Sequence, residues 1–69
     1  MKLSARNQIK GTIVAVSRGA TTSHVTVEIS AGQNIVASIT NEAVDELALR
    51  KGMSAVVVIK ASDVMVGVE

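Results

Sequence analysis

Apolar and polar residues alternate along most of the first 40 positions, and the alternation predicts three β-strands. The predicted strands run from Ile9 to Ser17, from Ser23 to Ile29 and from Asn34 to Ile39. All three contain many β-branched residues, which suit a pleated sheet. Gly11 predicts a bulge or bend in the first strand. The polar turn Ser30–Gln33 predicts that the second and third strands form a hairpin.

The second predicted strand has the most regular alternation. Successive side chains of a strand point to opposite faces, so its residues divide into two series. One series is Ser23, Val25, Val27 and Ile29, and the other is His24, Thr26 and Glu28. His24, the only histidine, is therefore expected at an exposed or interface position.

After position 39 the spacing changes from that of a strand to that of a helix. Thr40 or Asn41 can cap the helix, and acidic residues follow in its opening turns. The residues at helical spacing on one face are Ala43, Val44, Leu47 and Ala48. Arg50 and Lys51 suit the closing turn, and Gly52 suits the left-handed residue after it. We predict a helix of about two to three turns that ends at Gly52.

Two further strands are predicted after the helix, from Ser54 to Lys60 and from Val64 to Val68. The apolar run Ala55–Ile59 is typical of a strand covered on both faces, and in so short a chain the second cover is expected to be another subunit. Five strands with a helix before the fourth match the Greek-key barrel called the OB-fold. We predict an all-β fold of this class: a five-stranded Greek-key OB-like barrel with one short helix between strands 3 and 4, in a single domain over residues 1–69.

The composition favours self-association. The chain has 69 residues, no cysteine and no aromatic residue, yet 48% of it is hydrophobic. Small folds usually compensate for a limited core with disulfides, metals or oligomerisation, and disulfides are excluded here. The chain has no apolar stretch long enough for a membrane span and no signal-peptide pattern at its start. We expect a cytoplasmic homo-oligomer without a membrane partner.

Residue types exclude most catalytic chemistry. With one histidine and no cysteine there is no recognisable triad or metal-ligand spacing, so we predict no catalytic residue, no metal site and no enzyme. The formal net charge is +1, and a nucleic-acid-binding OB-fold would need a basic surface and stacking aromatic residues. A nucleic-acid-binding module and a purely structural assembly subunit remain the alternatives to a small-ligand binder.

Two polar segments carry the candidate chemistry, Ser4–Gln8 and Lys60–Met65. Each has a cation and a hydroxyl two residues apart: Ser4 with Arg6, and Lys60 with Ser62. In an extended chain such residues point the same way, and together they offer the donors that a tetrahedral oxyanion needs. On composition alone, both segments also fit ordinary loops.

The same two segments resemble the opening and closing signatures of the molbindins. These are small molybdate-binding domains, also found in molybdate-responsive regulators and in ATPase subunits of molybdate transporters. Leu49 and Lys51–Gly52 before the fourth strand are similar too, whereas Thr21–His24 departs from the pattern. The resemblance covers nearly the whole chain.

The resemblance implies a cytoplasmic protein that stores or buffers molybdate and often tungstate. It also implies a hexamer, built as a trimer of dimers, that holds the ions at subunit interfaces. The implied ligands are Ser4, Arg6, Lys60 and Ser62, with the Ala5 amide assisting and Thr40 supplied by a neighbouring subunit. Molybdate is fully deprotonated at neutral pH, so a site made only of donors suits it.

Overall fold

The computed structural model describes residues 1–69 and contains one β-sheet and one α-helix. The strands are β1 (Asn7–Arg18), β2 (Thr22–Ser30), β3 (Gln33–Thr40) and β4 (Ser54–Ile59), and the helix α1 is Asn41–Leu47. A single 3-10 turn, Ala61–Asp63, follows β4. The first four predicted strands are confirmed, each with ends within two residues of the predicted ones. The single α-helix is too short to cross a membrane.

The four strands form one antiparallel sheet in the order β3-β2-β1-β4. β1 is longer than its neighbours and pairs with both of them in turn. Its residues Asn7–Thr12 pair with β4, and Thr12–Arg18 pair with β2. The two ends of β1 therefore lie in different surroundings, one beside β4 and the other beside the β1–β2 turn.

The irregularity of β1 lies slightly later than the sequence predicts. The register with β2 shifts between Ile13 and Ala15, so of the bulge or bend predicted at Gly11 the bulge is wrong. Gly11 instead marks a close approach: a Cβ there would lie 2.6 Å from the carbonyl oxygen of Glu28 and 2.6 Å from a methyl carbon of Val27. Only glycine fits where β1 passes this close to the backbone of β2.

The core lies between one face of the sheet and α1. Its buried centre consists of Ile13, Val25, Val27 and Val44, and more aliphatic residues pack around them half-buried. The series of β2 that includes Val25 and Val27 therefore faces the core, as its alternation indicated. Only six of the 69 residues are buried, because a seven-residue helix covers little of the sheet.

The helix ends earlier than predicted. Its C-cap is Ala48, which adopts the left-handed conformation with φ 51°, and the expected cap Gly52 lies in the turn before β4 with φ 90°. The amide of Leu49 donates to the carbonyl oxygen of Val44, 3.0 Å away, and the Leu49 side chain packs against the core. Burial of Leu49 thus draws the chain off the helix before Arg50 and Lys51, which lie outside it.

The predicted five-stranded barrel is wrong for the single chain. The structure is an open four-stranded sheet, and Val64–Val68 forms no strand. The tail leaves the sheet after the turn Ala61–Asp63, so its backbone finds no neighbouring strand to pair with. Nor is β4 covered on both faces within one chain, since Val56 and Val58 remain 40% and 42% exposed.

We predict that Gly11→Ala lowers the free energy of unfolding by about 1–3 kcal/mol, because the added methyl group would force β1 away from the Glu28 carbonyl. Urea denaturation measures the change. Thr12→Ala, at an exposed position of the same strand, is the control and should change stability by less than about 1 kcal/mol. Equal effects of the two substitutions would contradict the close approach.

Candidate functional site

The two polar segments meet at one end of the sheet. Asn7 pairs with Ile59, and the Asn7 side-chain amide donates to the Ile59 carbonyl oxygen over 3.2 Å. Arg6 precedes this pair and Lys60 follows it, so both cations border the same end of the β1–β4 ladder. The fold therefore places the N-terminal and C-terminal polar segments side by side, which the sequence pattern did not predict.

Each hydroxyl residue lies two positions farther from the strands than the cation of its segment: Ser4 precedes Arg6, and Ser62 follows Lys60. Ser4 and Ser62 are exposed, as are both cations, whereas Ala5 between Ser4 and Arg6 is buried. The buried methyl group of Ala5 anchors the N-terminal segment against the protein while its neighbours face solvent. The four polar side chains are thus accessible to a small ion.

The local geometry of the second segment differs from the predicted one. Lys60 is extended, but the next three residues form a 3-10 turn in which the Asp63 amide donates to the Lys60 carbonyl oxygen over 2.9 Å. The expectation that Lys60 and Ser62 point the same way along an extended chain is therefore wrong. The turn leaves the amides of Ala61 and Ser62 without an acceptor in the chain.

Neither cation of this end forms an ion pair, although the Asp63 carboxylate lies in the turn that follows Lys60. The one ion pair in the chain joins Arg18 to Asp45, far from Arg6 and Lys60. Two cations close to the same strand pair and without a carboxylate partner favour an anionic ligand. Their exposure means that an isolated chain offers only one wall of a site.

Thr40 lies at the opposite end of the sheet from the other predicted ligands. It pairs with Thr22, next to the C-terminal end of β1, whereas Arg6 precedes the N-terminal end. A 12-residue strand spans roughly 35 Å at the usual rise per residue. Thr40 therefore cannot join Arg6 and Lys60 within one chain.

The Thr40 hydroxyl is the N-cap of α1. Its oxygen accepts a hydrogen bond from the Ala43 amide over 3.1 Å. A hydroxyl has two acceptor lone pairs and one proton, so the cap leaves the Thr40 proton free to donate to another group. The cap thus orients the hydroxyl without using its donor.

Asn41 fixes the junction between β3 and α1. Its backbone amide donates to the Thr21 carbonyl oxygen over 2.9 Å, and its side-chain amide donates to the Gly19 carbonyl oxygen over 3.0 Å. Its side-chain oxygen accepts a hydrogen bond from the Ser23 hydroxyl, and Ser23 is the one buried polar residue, with 0% exposure. The sequence pattern identifies Asn41 only as a possible cap, because its other partners come from a distant turn.

An ion pair between Arg18 and Asp45 also connects the end of β1 to the helix. The Arg18 guanidinium donates two hydrogen bonds to the Asp45 carboxylate, over 2.8 Å and 2.9 Å. These hydrogen bonds hold the pKa of Asp45 below its ordinary value. Arg18 also borders a polar groove of about 290 Å³ lined by Ser17, Thr22 and His24. Because Asp45 already neutralises Arg18, this groove is a weaker anion site than the end of the β1–β4 ladder that carries Arg6 and Lys60, which we call the Arg6–Lys60 end.

The chain is similar to a known protein family. The family model described as the TOBE domain matches residues 3–66. The chain belongs to the TOBE domain family. Among its relatives, the probable molybdenum-pterin-binding protein of Haemophilus influenzae is 44% identical over 69 residues and covers 100% of both chains. The relatives' names describe binding and transport proteins, which confirms the prediction of a binding protein rather than an enzyme.

Solved structures of similar proteins share the fold. MopII from Clostridium pasteurianum, in an apo form, superposes with a TM-score of 0.89 at 37% identity, over 97% of this chain and 100% of that one. The cytoplasmic molybdate-binding protein ModG, with molybdate bound, superposes with a TM-score of 0.94 at 45% identity. That match covers 100% of this chain and 49% of ModG. The resemblance to the molbindins is thereby confirmed at the level of the family.

We predict that the Arg18–Asp45 pair stabilises the fold only while Asp45 is ionised. The folded-state pKa of Asp45 is lowered, so its contribution is present above the unfolded pKa of about 3.9 and is lost as the pH falls through the folded pKa. The urea midpoint of the parent should therefore exceed that of Asp45→Asn at neutral pH and converge with it in acid. Glu46→Gln, at an exposed position of the same helix, is the control and should follow the parent. A constant gap between parent and Asp45→Asn across this range would contradict the assignment.

Proposed function

We propose that this chain binds molybdate, and also tungstate, at sites formed between copies of itself, and so serves the intracellular storage and homeostasis of molybdenum. The observation that carries the proposal is the placement of Arg6 and Lys60 at one end of the β1–β4 ladder without a carboxylate partner. Ser4 and Ser62 add hydroxyl donors beside them, and the amides of Ala5, Ala61 and Ser62 add backbone donors.

The chemistry of the donor set favours this class of ion. Arg6 and Lys60 together match the charge of a dianion, and every group proposed around it can donate a hydrogen bond. Molybdate and tungstate present only acceptor oxygens at neutral pH, whereas hydrogen phosphate would turn its proton toward donors. The relative that superposes with a TM-score of 0.94 is a cytoplasmic protein with molybdate bound, which supports both the ligand and a cytoplasmic location.

A site shared between copies accounts for the distance to Thr40. A second chain can bring its own Thr40 hydroxyl to the Arg6–Lys60 end, which the same chain cannot do across the length of β1. In this arrangement Thr40 closes the open side of the site. The hexamer built as a trimer of dimers is the assembly that the family resemblance favours.

The apolar surface supports assembly independently of the ion. An apolar groove of about 260 Å³ opens onto the core residues Ile13, Val25 and Val27. The tail is also apolar and is far more exposed, with Met65, Val66 and Val68 at 94%, 90% and 95% exposure. Exposed apolar surface of this extent marks an interface. We propose that the tail packs on a second copy, where it forms the fifth strand that the single chain lacks.

We predict that Arg6→Ala and Lys60→Ala each weaken molybdate binding at least about tenfold, because each removes a charge-assisted contact. Ser4→Ala should weaken it less. Titration calorimetry gives the dissociation constants, and Lys10→Ala, which removes an exposed cation from the fourth position of β1, is the matched control that should bind like the parent.

Thermal denaturation in the presence of different anions tests the selectivity of the proposed site. Molybdate and tungstate should raise the melting temperature, and phosphate at the same concentration should raise it little or not at all. Equal shifts for all three anions, or parental affinity in both Arg6→Ala and Lys60→Ala, would overturn the proposed site.

We predict that Val66→Asp shifts the protein toward smaller species, because it places a charge in the apolar tail that the assembly buries. Light scattering at micromolar concentration measures the mass of the parent and the variant. Ala31→Asp introduces the same charge at the exposed β2–β3 turn and should leave the mass unchanged. A monomeric parent would refute both the assembly and the shared site.

A further inference from the structure

The backbone around Thr40 is held by several polar contacts from residues that are distant in the sequence. Ser23 occupies a core-facing position in line with Val25 and Val27, where an aliphatic residue would bury more apolar surface. A buried hydroxyl is tolerated when it has a hydrogen-bond partner, and the Ser23 proton is donated to the Asn41 side-chain oxygen. The buried serine therefore acts on Asn41.

Asn41 in turn holds the backbone next to Thr40. The residue makes three hydrogen bonds to the β1–β2 turn and its surroundings, through its backbone amide, its side-chain amide and its side-chain oxygen. Each bond restrains the chain one residue after Thr40. Because Thr40 also pairs with Thr22, its backbone is held on both sides.

We propose that Asn41, supported by the buried Ser23, is a positioning residue that aims the Thr40 hydroxyl at the oxyanion held by Arg6 and Lys60 of a second copy. The inference rests on the proposed function. Thr40 already lends its oxygen to the Ala43 amide, so the direction of its remaining proton depends on where the junction places the residue. A donor held in place before binding loses less conformational freedom when the ion arrives.

The junction also explains why a threonine hydroxyl can act across an interface. Thr40 is exposed, whereas Ser23, which holds the side chain of its neighbour Asn41, is buried in the core-facing series of β2. This part of the support for the hydroxyl is therefore separate from the surface that would meet the second copy.

A double-mutant cycle in molybdate titrations tests this role. Four proteins are compared: the parent, Asn41→Ala, Thr40→Ala and the double variant. Asn41→Ala should weaken binding about fivefold to tenfold in the parent background, in line with the loss of one well-placed hydrogen bond to a charged ligand. In the Thr40→Ala background, Asn41→Ala should weaken molybdate binding by less than about twofold, because the hydroxyl that Asn41 positions is absent.

One further variant separates a loss of positioning from a loss of general stability, and a second one is held in reserve. Ile29→Val removes a methylene group from a half-buried position at the far end of β2 and should lower the melting temperature without changing the affinity. If Asn41→Ala does not fold, Ser23→Ala replaces it in the cycle, because it removes the hydrogen-bond donor to Asn41 and keeps a small side chain.

The possible results divide clearly. Equal losses of affinity in both backgrounds, or no loss in the parent background, would overturn the positioning role. Parental affinity in Thr40→Ala combined with weak binding in Arg6→Ala would also overturn it, while leaving the proposed oxyanion site intact. Failure of the parent itself to bind molybdate would overturn the proposed function and this inference together.

Discussion

The constraint on which the rest of this structure depends is the shortage of cover for its apolar residues. Almost half of the chain is hydrophobic, but one seven-residue helix is the only layer packed on the sheet, and six residues are buried. A chain of this size reaches a small core at best. The open edges of β3 and β4, the exposed valines of β4 and the apolar tail are all consequences of this missing cover.

The central strand β1 divides the molecule into two functional ends. Its N-terminal end carries Arg6 beside Lys60, neither of which forms an ion pair, whereas its C-terminal end has Arg18 fully engaged with Asp45. The same residue type thus has two different roles, set by the presence or absence of an acidic partner. The engaged pair joins β1 to the helix, and the unpaired cations are available for the proposed anion.

Local features of the fold could be predicted from the sequence, and features that need distant partners could not. The alternation in β2 placed Val25 and Val27 in the core, and the Ser30–Gln33 turn marked the hairpin, because both depend on neighbouring residues. The end of the helix could not be predicted, because packing of Leu49 outweighs the local signal at Gly52.

The site shows the same division. The meeting of the Arg6 and Lys60 segments depends on the pairing of β1 with β4, which the order of the elements along the chain does not specify. The turn that rotates Ser62 away from an extended path was not predicted either, nor was the Ser23–Asn41 contact, which joins residues 18 positions apart in the sequence. A serine within an apolar series is the one sequence signal that could have indicated a buried polar contact there.

In the proposed assembly, ion binding and subunit association strengthen each other for a simple electrostatic reason. Bringing copies together without the ion confines the like charges of Arg6 and Lys60 in a partly desolvated interface, where their repulsion grows. A dianion removes that repulsion, and a ligand that binds only the assembled form stabilises it by an amount that grows with the logarithm of the ligand concentration over its dissociation constant. By linkage, the assembled state must then bind the ion more tightly than the separate chains do. In the proposed assembly, association of two copies around an anion therefore does two things. It covers the exposed apolar surface of the small core, and it neutralises the exposed pair of cations.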